Sequence, residues 1–209
     1  SHGLFGGLFG GQSAASHGGT RGGVVCITPG RLNDHSFLLV GWEDGSIVKM
    51  QLTKPIGVLQ TREVEVLGEL KGHLKPVEEI AVHNSVIYSR SKTRVLAHNI
   101  KTHECLVSFN DSEDDRITGF VFLKEQMFMA HNSTVLVWDL TESLYRKDPM
   151  NLNDVQLTIG GGELMTVKSG KVIGSLEGHT AQVTALKLTQ KSLFSASADG
   201  TTREWKFIQ

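Results

Sequence analysis

The sequence predicts an all-β fold made of successive four-stranded antiparallel sheets. Short runs in which apolar and polar residues alternate recur along the chain, as in residues 183–188, and this period of two is typical of strands with one buried face. Tight-turn pairs such as Asp44-Gly45 and Asp199-Gly200 separate these runs at hairpin spacing. No apolar run approaches the roughly 18 residues that a membrane-spanning helix needs.

The last third of the chain, residues 174–209, contains the clearest repeat. A Gly178-His179 pair precedes an alternating run, the small-residue strand 193–197 follows, and Trp205 stands six residues after Asp199. This order and spacing resembles a WD40 repeat, the blade unit of a β-propeller. Lys206 replaces the Asp that follows the Trp in the family.

The resemblance implies a hydrogen-bonded structural network in this repeat. A buried His or Asp is costly unless it is paired, so such a network would hold the strand register of the blade. The serine of the set is left open between Ser195 and Ser197. Across the chain, the structural residues implied in this way are His179, Ser195, Ser197, Asp199, Trp205, Trp138, Asp139 and His73. The Ser-His-Asp combination also suggests a protease, but no G-x-S-x-G motif precedes a helix.

Composition narrows the class of protein. The net charge is -1, which gives no global electrostatic case for nucleic acid or an anionic membrane as partner. Cys26 and Cys105 are the only cysteines, so neither a disulfide framework nor a zinc module is indicated. No secretory signal is visible, and we expect a cytoplasmic or nuclear protein.

Residues 1–23 are predicted to form a flexible glycine-rich arm, because they cannot bury enough surface to offset the entropy of ordering. Within them, residues 3–6 and 7–10 are two consecutive GLFG units. These units are similar to the repeats of nuclear-pore phenylalanine-glycine proteins. They supply an alternative function, a nucleoporin-like propeller with a phenylalanine-glycine arm.

Three further repeats are predicted between residue 24 and residue 139. In the first, Met50 stands six residues after Asp44, at the Trp position. In the second, His73 follows a glycine, Lys92 falls at the turn Asp, and His98-Asn99 replaces Trp-Asp. In the third, Trp138-Asp139 is intact and Asn132 replaces the turn Asp.

The spacing of these repeats predicts an incomplete propeller. The Trp-equivalent positions 50, 98, 138 and 205 are separated by 48, 40 and 67 residues, against about 40–45 for a WD40 unit. The excess falls at residues 141–170, which are either an insertion or a degenerate fifth blade, with Met165-Thr166 at its Trp-Asp position. The repeat domain therefore covers residues 24–209 with four or five blades. We expect the chain to be part of a larger protein, or to close by assembly with a second copy or a complementary propeller half.

No phosphate loop, zinc pattern or dinucleotide fingerprint appears, so we predict no catalytic residue, cofactor or metal. The expected function is a non-catalytic protein-protein interaction scaffold or substrate-recruiting module, binding proteins or peptides through loops on a rigid frame. Candidate partner-binding residues, which a core does not explain, are Trp42, Glu43, Lys92, Arg94, Asn132 and Arg203. A propeller hydrolase with converging carboxylates at Glu43, Asp44 and Asp199 is the less favoured alternative.

Overall fold

The computed structural model describes residues 21–33, 35–52, 64–109, 114–145, 154–158 and 162–207. In this part of the chain seventeen strands form four sheets, which confirms the all-β class. The strands are β1 (Val24–Leu32), β2 (His35–Trp42), β3 (Ile47–Leu52), β4 (Val64–Leu70), β5 (Glu79–His83), β6 (Val86–Arg90), β7 (Val95–Asn99), β8 (Cys105–Phe109), β9 (Ile117–Leu123), β10 (Gln126–His131), β11 (Thr134–Asp139), β12 (Asp154–Thr158), β13 (Leu164–Ser169), β14 (Lys171–Leu176), β15 (Val183–Leu188), β16 (Ser192–Ser197) and β17 (Thr202–Lys206).

Four blades follow one another along the chain. Blade 1 has the strand order β1-β2-β3-β4, blade 2 contains β5 to β8, blade 3 contains β9, β10, β11 and β14, and blade 4 contains β15, β16 and β17. All neighbours within these blades are antiparallel. Two sheets depart from the predicted four strands, because an added hairpin extends blade 2 to six strands and blade 4 has three.

Residues 140–169 lie between the third and fourth strands of blade 3. They contain the short helix α1 (Leu140–Tyr145) and the hairpin of β12 and β13, and β13 pairs in parallel with β8 of blade 2. Met165 and Thr166 therefore lie in the second strand of this hairpin rather than in the third strand of a blade. Among the helices of the described ranges, none is long and apolar enough to cross a membrane.

Alternation of side chains along the strands places apolar residues on both faces of the inner blades. Of the five apolar clusters among the described residues, three lie one at each junction between consecutive blades. Fully burying one large apolar side chain stabilises the fold by about 1.5–3 kcal/mol. Representative residues are Leu39, Ile47, Leu70 and Ile87 between blades 1 and 2, Tyr88, Phe109, Met127 and Trp138 between blades 2 and 3, and Phe128, Val135, Val183 and Leu193 between blades 3 and 4.

The predicted N-terminal arm lies mostly outside the described residues. Residues 1–20, with both GLFG units, lie outside the described residues. Residues 21–23 lie against the turn that follows β2: the Glu43 amide donates to the Gly23 carbonyl (3.0 Å), and the Arg21 guanidinium is 3.3 Å from the Glu69 carboxylate. These three residues are therefore attached to blade 1.

Candidate functional site: the loop face

One end of the blades carries the predicted partner-binding residues. It is formed by the turns between the second and third strands of each blade and by the connections that lead into the next blade; we call it the loop face. Glu43, Lys92, Arg94 and Asn132 lie in these turns, while Trp42 ends β2 and Arg203 lies in β17 just after the turn.

The turns of the loop face are held by a hydrogen bond that repeats at each junction. The amide of a residue at or just before the first strand of one blade donates to a carbonyl at or next to the turn that follows the second strand of the preceding blade. The three bonds are Val77 N to Trp42 O (3.2 Å), Ile117 N to Lys92 O (2.8 Å) and Val183 N to Asn132 O (2.7 Å). Because the turn backbones are fixed in this way, their side chains project from a rigid frame.

Gly45 shows how closely consecutive blades approach at this face. Its φ is +87°, a left-handed conformation that favours glycine, and a Cβ at this position would clash with the carbonyl oxygen of His73. Glycine is therefore required at position 45 both by the backbone conformation of the turn and by the close approach of the connection that contains His73. Asp44 completes the turn by accepting hydrogen bonds from the Ser46 amide (2.9 Å) and hydroxyl (2.6 Å).

Blade 4 contains a four-residue hydrogen-bonded network. The Nδ1 atom of His179 lies 2.9 Å from the Asp199 carboxylate, and its Nε2 lies 2.9 Å from the Ser195 hydroxyl. The Trp205 indole donates to the same hydroxyl oxygen (2.9 Å). When the carboxylate accepts from Nδ1–H, that tautomer leaves Nε2 to accept the hydroxyl proton of Ser195. Ser197 lies outside this set, because its hydroxyl donates to the Ala181 carbonyl (2.9 Å).

This arrangement has the connectivity of a Ser-His-Asp catalytic triad but not its access. Ser195 is 0% exposed, and its oxygen already accepts the Trp205 indole proton. The Thr201 hydroxyl donates to Asp199 (2.6 Å), and this bond, with the amides of Thr180 and Thr201, holds the pKa of Asp199 below its usual range. A fully buried Ser that is already bonded to both His179 and Trp205 cannot reach a substrate, so the geometry is that of a structural network.

Blade 2 keeps half of that network. His73 Nε2 lies 2.9 Å from the Ser89 hydroxyl, but Lys92 occupies the place of Asp199, and His73 Nδ1 has no hydrogen-bond partner among the described residues. His98, at the Trp position, donates from Nε2 to the Lys71 carbonyl instead (2.8 Å). Burial lowers the pKa of His73 to about 3 and of His98 to about 4, so both rings are neutral at physiological pH.

Blade 3 replaces the network with packing and an amide bridge. Trp138 packs edge-on against Phe109 with ring centroids 5.3 Å apart, and its indole nitrogen has no hydrogen-bond partner in the described ranges; Asp139 follows it at the end of β11. Asn132 accepts from the Arg116 amide (3.0 Å) and donates to Asp115 (2.8 Å). The side chain of Asn132 therefore ties its turn to the preceding connection.

The remaining partner-binding candidates differ in whether their side chains already contact other residues of the chain. Trp42 is partly buried, with the Arg21 guanidinium 5.9 Å from its ring centroid, and Glu43 accepts from the Gly23 amide (2.9 Å). Arg203 donates to the Gly178 carbonyl (2.6 Å). Lys92 is exposed and makes no ion pair with another described residue.

A buried arginine that sequence reasoning missed holds blades 2 and 3 together at this end. Arg90, with 9% of its side chain exposed, contacts the carboxylates of Glu78 (2.6 Å) and Glu79 (2.9 Å) and donates to the Ile117 carbonyl (2.9 Å). These bonds give the Nε and Nη1 atoms of the buried guanidinium hydrogen-bond partners. In the sequence, the opposite charges of Glu78-Glu79 and Arg90, at the start and end of two consecutive strands, could have indicated this contact.

The comparisons with known proteins agree with this geometry. No family model matches the chain. It is 27% identical over 146 residues to Cell division control protein 4 of Saccharomyces cerevisiae, covering 66% of this chain and 17% of that protein. Among solved structures, the computationally designed Ika4 protein matches with a TM-score of 0.61 and 21% identity, over 94% of this chain and 98% of that one.

Two larger solved chains match over about half their length. The designed Ika8 protein matches with a TM-score of 0.61 and 20% identity, over 91% of this chain and 48% of that one. The WD40 domain of Neurospora crassa Pan2 matches with a TM-score of 0.55 and 14% identity, over 88% and 47%. None of these proteins is described as a nucleoporin, so they give no support to the nucleoporin-like alternative. The blade pairing and these similarities together show a propeller-like fold of the kind that the Pan2 WD40 domain has.

Proposed function

We propose that the chain is a non-catalytic module that recruits a partner or substrate protein through its loop face, as part of a larger protein or complex. The repeated hydrogen bond between consecutive blades carries this proposal, because it makes the turns rigid while their side chains stay available. A rigid surface loses little conformational entropy when a partner binds.

The electrostatics of the loop face favour binding near blades 2 and 3. Lys75, Lys92 and Arg116 are exposed, and none of them forms an ion pair with another described residue. Of the neighbouring acids, Glu78 contacts Arg90 and Asp115 lies 3.0 Å from His131, while Asp114 is exposed. Positive charge therefore remains available for a partner at this part of the face.

Burial of Ser195 supports the absence of catalysis. A hydrolase would need the hydroxyl to reach a substrate carbonyl, whereas here it is enclosed and bonded to both His179 and Trp205. If the wild-type chain hydrolysed an ester, and Asp199→Asn abolished that activity while the fold stayed intact, the result would contradict this part of the proposal.

The test is a peptide library displayed on phage and selected on the purified 209-residue chain. Enriched peptides are then measured against the double variant Lys92→Glu/Arg116→Glu and against Lys191→Glu, which changes an exposed lysine in the turn between β15 and β16 at the opposite end. We expect the double variant to bind at least tenfold more weakly, which corresponds to about 1.4 kcal/mol. Equal binding by the wild type and the double variant would contradict the loop face as the site.

The proposal extends to a cytoplasmic or nuclear location, with proteins or peptides rather than nucleic acid or membrane as partners. Cys26 and Cys105 are free thiols, which fits a reducing compartment. Assembly with a complementary propeller half stays a prediction, and light-scattering mass of the purified chain checks it.

A further inference from the structure

Blades 2 and 4 share the first half of one hydrogen-bonded network with the same local geometry. Each contains a Gly-His pair whose glycine has a positive φ, +138° at Gly72 and +143° at Gly178. In each blade the Nε2 atom of the histidine lies 2.9 Å from the hydroxyl of a serine sixteen residues later, as His73 does from Ser89. The two blades can therefore be compared residue by residue at the loop face.

In blade 4 the second half of the network is a carboxylate that several donors surround. Asp199 accepts hydrogen bonds from the amide (2.8 Å) and the hydroxyl (2.6 Å) of Thr201. It also accepts from the Thr180 amide (3.0 Å), and it lies 2.9 Å from His179 Nδ1. Only 9% of the Asp199 side chain is exposed, so the donors enclose one acidic group.

The corresponding turn of blade 2 contains no acidic residue. In blade 4 three residues separate Ser197 from Thr201, whose backbones are hydrogen-bonded across the turn. In blade 2 only two residues separate the corresponding bonded pair, Ser91 and Arg94, and one of the two is Lys92. Basic side chains therefore belong to the turn that supplies the carboxylate in blade 4.

Two donors beside this turn have no acceptor among the described residues. They are His73 Nδ1 and Arg94 Nε, and both atoms are buried. When the Ser89 hydroxyl donates to Nε2 of His73, the neutral ring carries its proton on Nδ1. Burial chiefly, and the charge of Arg94 to a smaller extent, lower the pKa of His73, so the guanidinium lies near the ring. Because a buried donor without a partner is unfavourable, an acceptor that enters here gains by satisfying it.

The surface above these donors is exposed and basic. Leu74, which follows His73, is 53% exposed, and Lys75 and Lys92 are exposed as well. Neither lysine forms an ion pair with another described residue. A ligand therefore displaces only surface side chains to reach His73, and positive charge attracts it if it is an anion.

We propose that the turn between β6 and β7 binds a carboxylate of a partner protein, an Asp or Glu side chain that takes the place which Asp199 holds in blade 4. His73 Nδ1–H and the Arg94 guanidinium donate to this carboxylate, and Lys92 adds positive charge at the rim. Arginine and carboxylate groups form strong, charge-assisted hydrogen bonds. The proposal rests on the function proposed above, because it names the chemical group that the loop face recognises.

The probe is the α-amide of N-acetyl-glutamic acid, whose only ionisable group is the side-chain carboxylate. It is titrated into the isotope-labelled 209-residue chain while nuclear magnetic resonance follows the ring nitrogens of His73. The α-amide of N-acetyl-glutamine, which has nearly the same shape without the charge, is the control ligand. We expect a saturable shift of the Nδ1 resonance with the acid and none with its uncharged counterpart.

Three variants test which side chains hold the carboxylate. Arg94→Gln should weaken binding of the acid at least about tenfold, and Lys92→Asp should do the same because its own carboxylate fills the position. Lys101→Asp makes the same change of charge at an exposed position in the turn between β7 and β8, at the opposite end of blade 2. It should bind the acid within about twofold of the wild type. Circular dichroism confirms that each variant is folded.

Absence of a His73 shift, an equal shift with both ligands, or unchanged binding by folded Arg94→Gln would overturn the proposal. Failure of the carboxylate site differs from failure of the recruiting function. If selected peptides bind and Lys92→Glu/Arg116→Glu weakens them, while the acid leaves the His73 resonance unmoved, the loop face stands and the carboxylate site is wrong. If the His73 resonance responds as expected but no peptide is enriched, the carboxylate site stands and the recruiting function is wrong.

Discussion

Ser195→Ala removes one hydroxyl on which two nitrogen atoms depend. The hydroxyl donates to His179 Nε2 and accepts from Trp205 Nε1, both at 2.9 Å. The His179 side chain is 1% exposed, so water cannot replace its lost partner, whereas Trp205 is only partly buried. Alanine is smaller by the one oxygen atom, so the effect arises from unmet hydrogen bonding rather than from lost packing.

A buried polar group without a partner costs about 1–3 kcal/mol, and the partly exposed indole belongs at the lower end of that range. Together the two nitrogens predict a loss of roughly 2–4 kcal/mol in the free energy of unfolding. For a chain of this length, about 2–4 °C in Tm accompanies each kcal/mol, so the melting temperature should fall by roughly 5–15 °C.

Urea unfolding followed by circular dichroism and tryptophan fluorescence measures this loss. Ser89→Ala is the matched control in blade 2: it is also 0% exposed, but His73 alone among the described residues bonds to its hydroxyl, which predicts about 1–2 kcal/mol. Ser36→Ala, at an exposed position, should stay within about 0.5 kcal/mol of the wild type. The reasoning is refuted if Ser195→Ala is as mild as Ser36→Ala, or if Ser89→Ala is the more damaging change.

Two further predictions concern protonation and thiol reactivity. Because burial lowers the pKa of His73 to about 3 and of His98 to about 4, the unfolded chain binds protons that the folded chain excludes; stability is fully present above about pH 6.5 and falls as the pH drops toward 3–4. Well inside that window each ring contributes about 1.4 kcal/mol per pH unit to the slope of the unfolding free energy against pH. His98→Gln should therefore make urea unfolding less pH-dependent between pH 6 and pH 5. An unchanged slope would count against buried neutral histidines. Burial raises the pKa of Cys105 to about 12 and also raises that of Cys26, so an aromatic disulfide reagent at pH 8 should label the native chain slowly and the urea-unfolded chain fast. Rapid labelling of both thiols in the native chain would contradict this assignment.

Part of the candidate site follows from local sequence spacing. His179, Asp199 and Trp205 belong to one repeat, and their separations place them at the same end of a three-stranded hairpin unit. The choice of Ser195 over Ser197 needed the register: both share a face with Leu193, which pairs with Trp205, but Ser195 is two residues from that pair and Ser197 is four. The outward turn of His98 toward Lys71 could not be predicted, since residue type alone does not specify which acceptor a ring will find.

The sequence by itself determined the all-β class, the four repeats and the turn positions, because period-two alternation and Asp-Gly turns act over a few residues. Only the tertiary structure decided the pairings between distant segments. It placed β14 as the fourth strand of blade 3 after the intervening residues 140–170, and it joined β13 to β8. The physical reason is that loop closure costs little more for a long connection than for a short one, so the packing of complementary faces selects the partner of a strand.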